Sequence, residues 1–392
     1  MKNIFKVFYL ALFFLSQAKA EEVSRSYADV LSEVTNRIDS YEKLIKKSGD
    51  SDWLLRDKLT SAYLERASLT NKFSDFSAAE NVLNQAFKNA PQGSGPLLTA
   101  ARLDYSLHRL SEAEKKLDLI SKQVLIKSDK QIAILALQSN ILFQRGNYSE
   151  ALKGYHQCEN YQSGACLEDL AIYYSKTGGL AEARSIFNLL LLKCKNEDFH
   201  HRAWLNLQLG IIELNQKNYD MALINLNAAN KIMPDWWLVQ EHIAETLGLK
   251  GDYKAAIEIY EKIVEQTGLP QYIDALAEMN LKVGKNQESE KLFKQAELIW
   301  QTDIKNFPEA VSGHAIDHYS LVNNKEEFYK LALSNYKNRP NGEAGIKLAK
   351  ALLEIGEQKQ AKLEIEKILK STYESKELNQ VACLTGLNQF CN

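Results

Sequence analysis

The residues of this 392-residue chain whose types and spacing most suggest chemistry are His314-Ala-Ile-Asp317-His318. At i and i+4 the two imidazoles share one face of a helix, which is half of a metal site. The stretch lacks the glutamate of the His-Glu-x-x-His protease pattern, and the sequence names no third ligand. The pair therefore reads as a surface or inter-repeat histidine pair, with metal binding or catalysis through His314 and His318 as the alternative. His200 and His201 are adjacent, so they point apart on a helix and read as a loop or helix start. A nucleophile triad, a phosphate-cradling glycine loop and a dinucleotide fingerprint are missing from the sequence, since Gly178-Gly179 and Gly146-Asn147 fall at turns between helices. The reading is of a non-enzymatic chain, with no catalytic, cofactor-binding or metal-ligating residue assigned.

Five cysteines bear on the compartment. The chain opens with Lys2 and Lys6, an apolar run from Val7 to Leu15, and the small residues Ala18 and Ala20 of an A-x-A cleavage site. This is the grammar of a secretory signal peptide, residues 1–20, cut after Ala20; the apolar run is too short to span a membrane. A signal of this bare type suits a bacterial periplasm, where cysteines are expected to pair. Cys383 with Cys391 would close the C-terminal tail, and Cys158 with Cys166 would clasp the turn between two units. Cys194 is then left over, as a small buried apolar residue or a free thiol; a Cys166–Cys194 bond is the competing arrangement, because sequence does not rank connectivities. Cleavage would remove three lysines and take the formal net charge from −2 to −5. That is too mild to indicate a nucleic-acid partner, and no later stretch approaches a membrane span.

The positions that could bind a partner depend on a repeat. Segments 203–236 and 237–270 are contiguous and 34 residues long. The first carries Leu209-Gly210, Asn218-Tyr219, Ala222, Leu226, Ala229 and Pro234; the second carries Ile243-Ala244, Gly251-Asp252-Tyr253, Ala256, Tyr260 and Ile263, with Gly268 in place of the proline. One small residue serves as a ruler: Ala79, Ala113, Ala151, Ala183, Ala222 and Ala256 recur at spacings of 34, 38, 32, 39 and 34, and Ala361 follows near the end. Between the last two, the slots hold Glu290 and Phe328. These residues sit where the tetratricopeptide pattern asks for them, although the first Trp slot of the clearest unit holds Asn206. Over residues 60–375 the chain resembles that family. The units run about 60–93, 94–127, 132–165, 166–199, 203–236, 237–270, 271–304, 309–341 and 342–375, with residues 21–59 as N-terminal capping helices and 376–392 as a tail.

The resemblance implies an all-α fold: an open, right-handed superhelical solenoid of antiparallel helix pairs. Its concave face, lined by the first helix (A) of each pair, would take an extended peptide or a partner helix. The family's groove positions, 2, 5, 9 and 12 of each A helix, fall here on Arg102, Tyr105, Asn140, Phe143, Glu168, Ile172, Glu241, Glu245, Tyr272, Met279 and Lys282. The acidic members, Glu168, Glu241 and Glu245, favour a basic ligand. Small residues at Gly210, Ala244, Ala67, Ala101 and Ala171 would let helix A approach helix B (the second of each pair), and Trp236-Trp237 reads as core. Tyr27, Val30, Leu31, Val34, Ile38, Tyr41, Leu44 and Ile45 lie at helical spacing and predict one long helix capping the open end of the stack. Self-association through that stripe, within an envelope complex, is the sharper alternative. The reading as a whole is of an exported scaffold or adaptor that binds protein or peptide, without a cofactor.

Overall fold

A computed structural model describes residues 24–48, 52–91, 94–122 and 127–391. The expected signal peptide, residues 1–20, lies outside the described residues.

Among the described residues there are twenty α-helices and no strand. A single long helix, α1 (Tyr27–Ser48), is followed by nine antiparallel pairs: α2 (Trp53–Thr70) and α3 (Phe73–Asn89), α4 (Leu97–Ser106) and α5 (Leu110–Ser121), α6 (Ser128–Gln144) and α7 (Tyr148–Tyr161), α8 (Leu167–Lys176) and α9 (Leu180–Lys193). They continue as α10 (Phe199–Asn215) and α11 (Tyr219–Ile232), α12 (Trp237–Leu249) and α13 (Tyr253–Thr267), α14 (Pro270–Lys282) and α15 (Asn286–Asn306), α16 (Pro308–Leu321) and α17 (Lys325–Asn338), α18 (Gly342–Glu354) and α19 (Gln358–Leu369). The chain ends in α20 (Lys376–Leu384) and a short 3₁₀ turn. The fold is a right-handed, tetratricopeptide-like solenoid.

Side-chain size explains the pairing. Ala79, Ala113, Ala151, Ala183, Ala222, Ala256 and Ala361 are all 0 % exposed, because each sits where helix B meets its own helix A. On the facing surface Gly210 leaves no room for a Cβ, which would stand 2.7 Å from Leu226 Cδ2. Substituting Ala222 with leucine is expected to cost about 1–3 kcal/mol through overpacking, read as a lower midpoint in thermal unfolding. In α15 the buried small residue is Ser289, whereas Glu290 is exposed. The slot is therefore one residue earlier than the ruler placed it, three residues into the helix as in α11 and α13.

Unit boundaries move for a similar reason. Asp52 and Asp198 cap α2 and α10 by accepting from the backbone N–H groups of Leu55 and His201, so those helices begin before residues 60 and 203. Likewise α6 begins at Ser128 rather than 132. The stretch 376–392, expected as a tail, contains α20 and packs Leu378, Val381 and Ala382 into the core.

Closure of the coil departs from the open superhelix. The turns inside the N-terminal pairs touch the junctions between C-terminal pairs. Arg145 donates to the Asn338 carbonyl at 2.9 Å, Asn338 donates to the His108 carbonyl at 2.8 Å, and the Gly342 N–H donates to the Tyr148 hydroxyl at 2.8 Å. Further along, the Glu374 N–H donates to the Lys176 carbonyl at 3.0 Å. Burial beside the Arg339 guanidinium pushes His108 down to about 3, leaving a neutral imidazole whose Nε2 sits 2.9 Å from Arg339. Gly146, at φ +74°, lies under Pro340, where a Cβ would come within 2.5 Å of the carbonyl oxygen. Successive turns of the superhelix thus rest on each other, and the core is continuous across them.

The N-terminal helix is part of this closure. Tyr27, Val34 and Ile38 are buried, while Val30, Leu31, Tyr41 and Ile45 pack partly buried against the same core; Leu44 is exposed. The Tyr27 N–H donates to the Pro234 carbonyl at 3.0 Å, and its hydroxyl donates to the Leu69 carbonyl at 3.1 Å. Most of the apolar stripe is covered by the chain's own helices, which removes the surface that self-association through α1 would need.

Candidate functional site

Three A helices, α12, α14 and α16, present their inner faces to a cavity of about 510 Å³. Its lining includes five carboxylates, Glu241, Glu245, Asp274, Glu278 and Asp317, together with Lys282, His314, His318, Met279, Tyr253 and Tyr260. The carboxylates come into register through helix geometry: Glu241 and Glu245 are four and eight residues beyond the start of α12, and Asp274 and Glu278 are four and eight beyond the start of α14. Residues four apart stack on one helix face, so consecutive units place acids side by side.

The carboxylates differ in their engagement. Asp317 is paired with Lys347 at 2.7 Å. Asp274 is almost fully buried and forms the floor: its Oδ2 accepts from the Trp300 indole N–H at 2.7 Å, and its Oδ1 lies 2.7 Å from His318 Nδ1. The other nitrogen of His318, Nε2, lies 2.6 Å from Glu297 Oε2. Burial opposes charge on His318, yet Asp274 and Glu297 outweigh it and raise the imidazole above its ordinary value. Glu297 also feels burial, and it is held below the ordinary value chiefly by His318. An imidazole clamped between two carboxylates ties α14, α15 and α16 together.

Glu241 behaves oppositely. Burial pushes it up to about 7 and Glu245 adds to the rise, while His242 offsets part of it. His242 Nδ1 is 3.1 Å from Glu241 and 3.2 Å from Glu245. His314 is exposed on the cavity wall; the surrounding chain, Lys347 and Arg339 lower it below the ordinary value.

Among the eleven groove positions, Glu241, Glu245, Met279 and Lys282 meet in this cavity. Tyr272 does not face it: it is buried against Trp237, ring centroids 5.5 Å apart, because the first turn of α14 abuts the start of α12. Asn140 is held by Asp169 at 3.1 Å and by the Tyr155 hydroxyl at 2.7 Å, and Phe143 packs edge-on to Tyr148 and Tyr173. Ile172 packs beside the Phe187 cluster, Tyr105 is half-buried, Arg102 is exposed, and Glu168 turns to His201. The partners that hold Asn140, Phe143, Ile172 and Glu168 belong to their own or the adjacent unit, so these side chains are engaged within the N-terminal stack.

Counting from residue 271 instead of the helix start at Pro270 hid Asp274 and Glu278. Acid pairs at i, i+4 in both units were the available signal. The histidine pair does not converge on a metal, because both nitrogens of His318 already face carboxylates. Cys158 and Cys166 are bonded, as are Cys383 and Cys391, and Cys194 is free; the competing Cys166–Cys194 bond is not formed. Trp236 and Trp237 are both buried.

The class defined by this geometry is an all-helical solenoid of tetratricopeptide-like pairs with an acidic concave face. No family model matches the chain, and neither does any curated protein. Among solved structures it is similar to a tetratricopeptide repeat protein from Parabacteroides merdae at 16% identity, with 76% of this chain and 100% of that one covered and a TM-score of 0.39. It is similar also to a thermophilic TPR protein of Thermus thermophilus (18% identity, 47% and 99% covered, TM-score 0.39) and to PilF of Pseudomonas aeruginosa (14%, 58% and 99%, 0.37). At such identities and scores, the assignment rests on the helix pairs themselves.

Proposed function

We propose that the chain is a non-enzymatic scaffold whose concave face over α12, α14 and α16 binds a basic segment of a protein or peptide. The observation that carries this reading is the concentration of Glu241, Glu245 and Glu278 around one cavity, beside Asp274 and Asp317, which are already paired with His318 and Lys347. An electronegative cleft walled by protein focuses its field on a cationic ligand. Met279, Tyr253 and Tyr260 offer apolar contact for the stems of lysine or arginine.

The test compares wild type with Glu241→Lys/Glu245→Lys, by fluorescence anisotropy, on a lysine- and arginine-rich peptide pool and on its acidic counterpart. The expected result is at least about a tenfold loss of affinity for the basic pool, roughly 1.4 kcal/mol, with binding that weakens as salt rises. Because Glu241 is pushed up to about 7, its negative charge is lost as pH falls through that value, so affinity should drop on acidification. Equal binding of basic and acidic pools, or no effect of the double reversal, would overturn the assignment.

The location proposed for this scaffold is the periplasm. The signal-like sequence of residues 1–20 supports it, and so do the two disulfides, which suit an oxidising compartment. Cell fractionation with N-terminal sequencing of the mature chain tests it, the expected first residue being Glu21.

A further inference from the structure

The free cysteine is not alone. Cys194 ends α9, a short loop follows, Asp198 caps α10, and His201 lies in the first turn of that helix. The Cys194 Sγ is 3.5 Å from His201 Nδ1, and Asp198 Oδ2 is 3.7 Å from the same nitrogen. One ligand atom from each of the three residues lies within 4.8 Å of the others. On its far side, His201 Nε2 stands 2.7 Å from Glu168 Oε1 of α8.

We propose that Cys194, Asp198 and His201 form a site for a divalent transition metal of the zinc class, with Glu168 as the outer carboxylate that orients His201. A tetrahedral centre with a metal–sulfur bond of about 2.3 Å and a metal–nitrogen bond of about 2.0–2.1 Å separates sulfur from nitrogen by about 3.5 Å, which is the spacing found here. One thiolate, one imidazole and one carboxylate suit zinc rather than calcium or magnesium, which take oxygen ligands alone. His201 Nε2 is buried and makes no hydrogen bond, although Glu168 of a different helix pair stands 2.7 Å away, out of alignment. A histidine that ligates metal through one ring nitrogen regularly presents the other to a carboxylate, so ligation through Nδ1 would bring the Nε2–H into line with Glu168. Cys194 and His201 are half-buried and Asp198 is exposed, so an ion can enter and a water can take the fourth position. On binding, the Cys194 thiol gives up its proton to solvent. The bound ion would join α9 to α10, and through Glu168 to α8, fastening the fourth helix pair to the fifth.

The experiment uses the full chain with its disulfides intact, titrated with zinc(II) by calorimetry and with cobalt(II) by absorption. Four of the five cysteines are bonded, so a sulfur-to-cobalt charge-transfer band reports Cys194. Wild type is expected to take up one equivalent and show the band. Cys194→Ser should abolish the band and weaken zinc by at least about 100-fold, and Glu168→Gln should weaken it by about 10–100-fold while keeping the band. Circular dichroism checks that each variant is folded, and His201→Asn and Asp198→Asn provide independent arms should Cys194→Ser not fold. Glu241, His242 and Glu245 form another three-residue group with ligand atoms this close, and it contains no sulfur; His242→Ala should leave uptake unchanged. Zinc retained at full stoichiometry and affinity in the folded Cys194→Ser and His201→Asn variants, or no cobalt–thiolate band in wild type, would overturn the proposal.

Discussion

Substituting alanine for Trp237 is expected to lower the stability of the whole molecule by about 3–5 kcal/mol, the usual cost of removing a buried tryptophan. Trp237 is 4 % exposed, packs against Tyr272, and donates its indole N–H to the Leu69 carbonyl at 2.8 Å. That carbonyl also accepts from Tyr27. The contact joins the start of α12 to the end of α2, 168 positions apart. In a solenoid held only by nearest-neighbour interfaces, such a loss would stay local. Here it should loosen the seam between the two turns, so that thermal unfolding splits into separate phases and small-angle scattering records a larger radius of gyration. Trp237→Phe keeps most of the ring and loses only the hydrogen bond, so it should cost about 1 kcal/mol. A single sharp transition at the wild-type midpoint for Trp237→Ala would show that the seam contributes nothing to cooperativity.

The second large effect is expected at His318. Its side chain is fully buried between Asp274 and Glu297, and His318→Asn removes the cation while leaving both carboxylates. Breaking a buried pair from one side costs about 3–5 kcal/mol, and Glu297, at 29 % side-chain exposure, places the expectation near the lower end. The pH dependence has a definite sign. His318 is raised above its ordinary 6.5, so its contribution is complete below that value and is lost as pH rises through the raised one. Glu297 is held below its ordinary 4.5, so its contribution is present above that value and is lost as pH falls through the lowered one. The difference between wild-type and His318→Asn melting temperatures should therefore be largest in the mildly acidic range and shrink on the alkaline side. Thermal melts from about pH 5 to about pH 9, a range that brackets histidine titration, check this. A difference that stays constant across the range would mean that His318 is neutral in the folded chain.

How much of this was legible in the sequence depends on the distance over which each feature is decided. The helix pairs were legible because every unit repeats its own solution: Gly210 meets Ala222 and Leu226, and Gly248 meets Ala256, all within a single unit. Both disulfides join cysteines 8 residues apart, so loop closure is short and the pairing local. The apolar stripe from Tyr27 to Ile45 announced α1 because helical periodicity is a property of the segment alone. Glu241 and Glu245 could be placed on the concave face by counting along α12.

The tertiary structure alone decided the rest. Whether the coil stays open or closes depends on small rotations between units, summed over many of them, and spacings from 32 to 39 residues do not carry that sum. The residues of the seam, among them His108, Arg145, Asn338 and Arg339, are ordinary residues of turns and helix ends in sequence. They become structural only because the second turn of the superhelix arrives against the first. The same holds for His318, which in sequence was half of a histidine pair. Packing placed it between Asp274 and Glu297, because a buried imidazole must be matched by partners that only neighbouring helices can supply. Local side-chain size and spacing determine the unit; the accumulated geometry of many units determines which side chains finally meet.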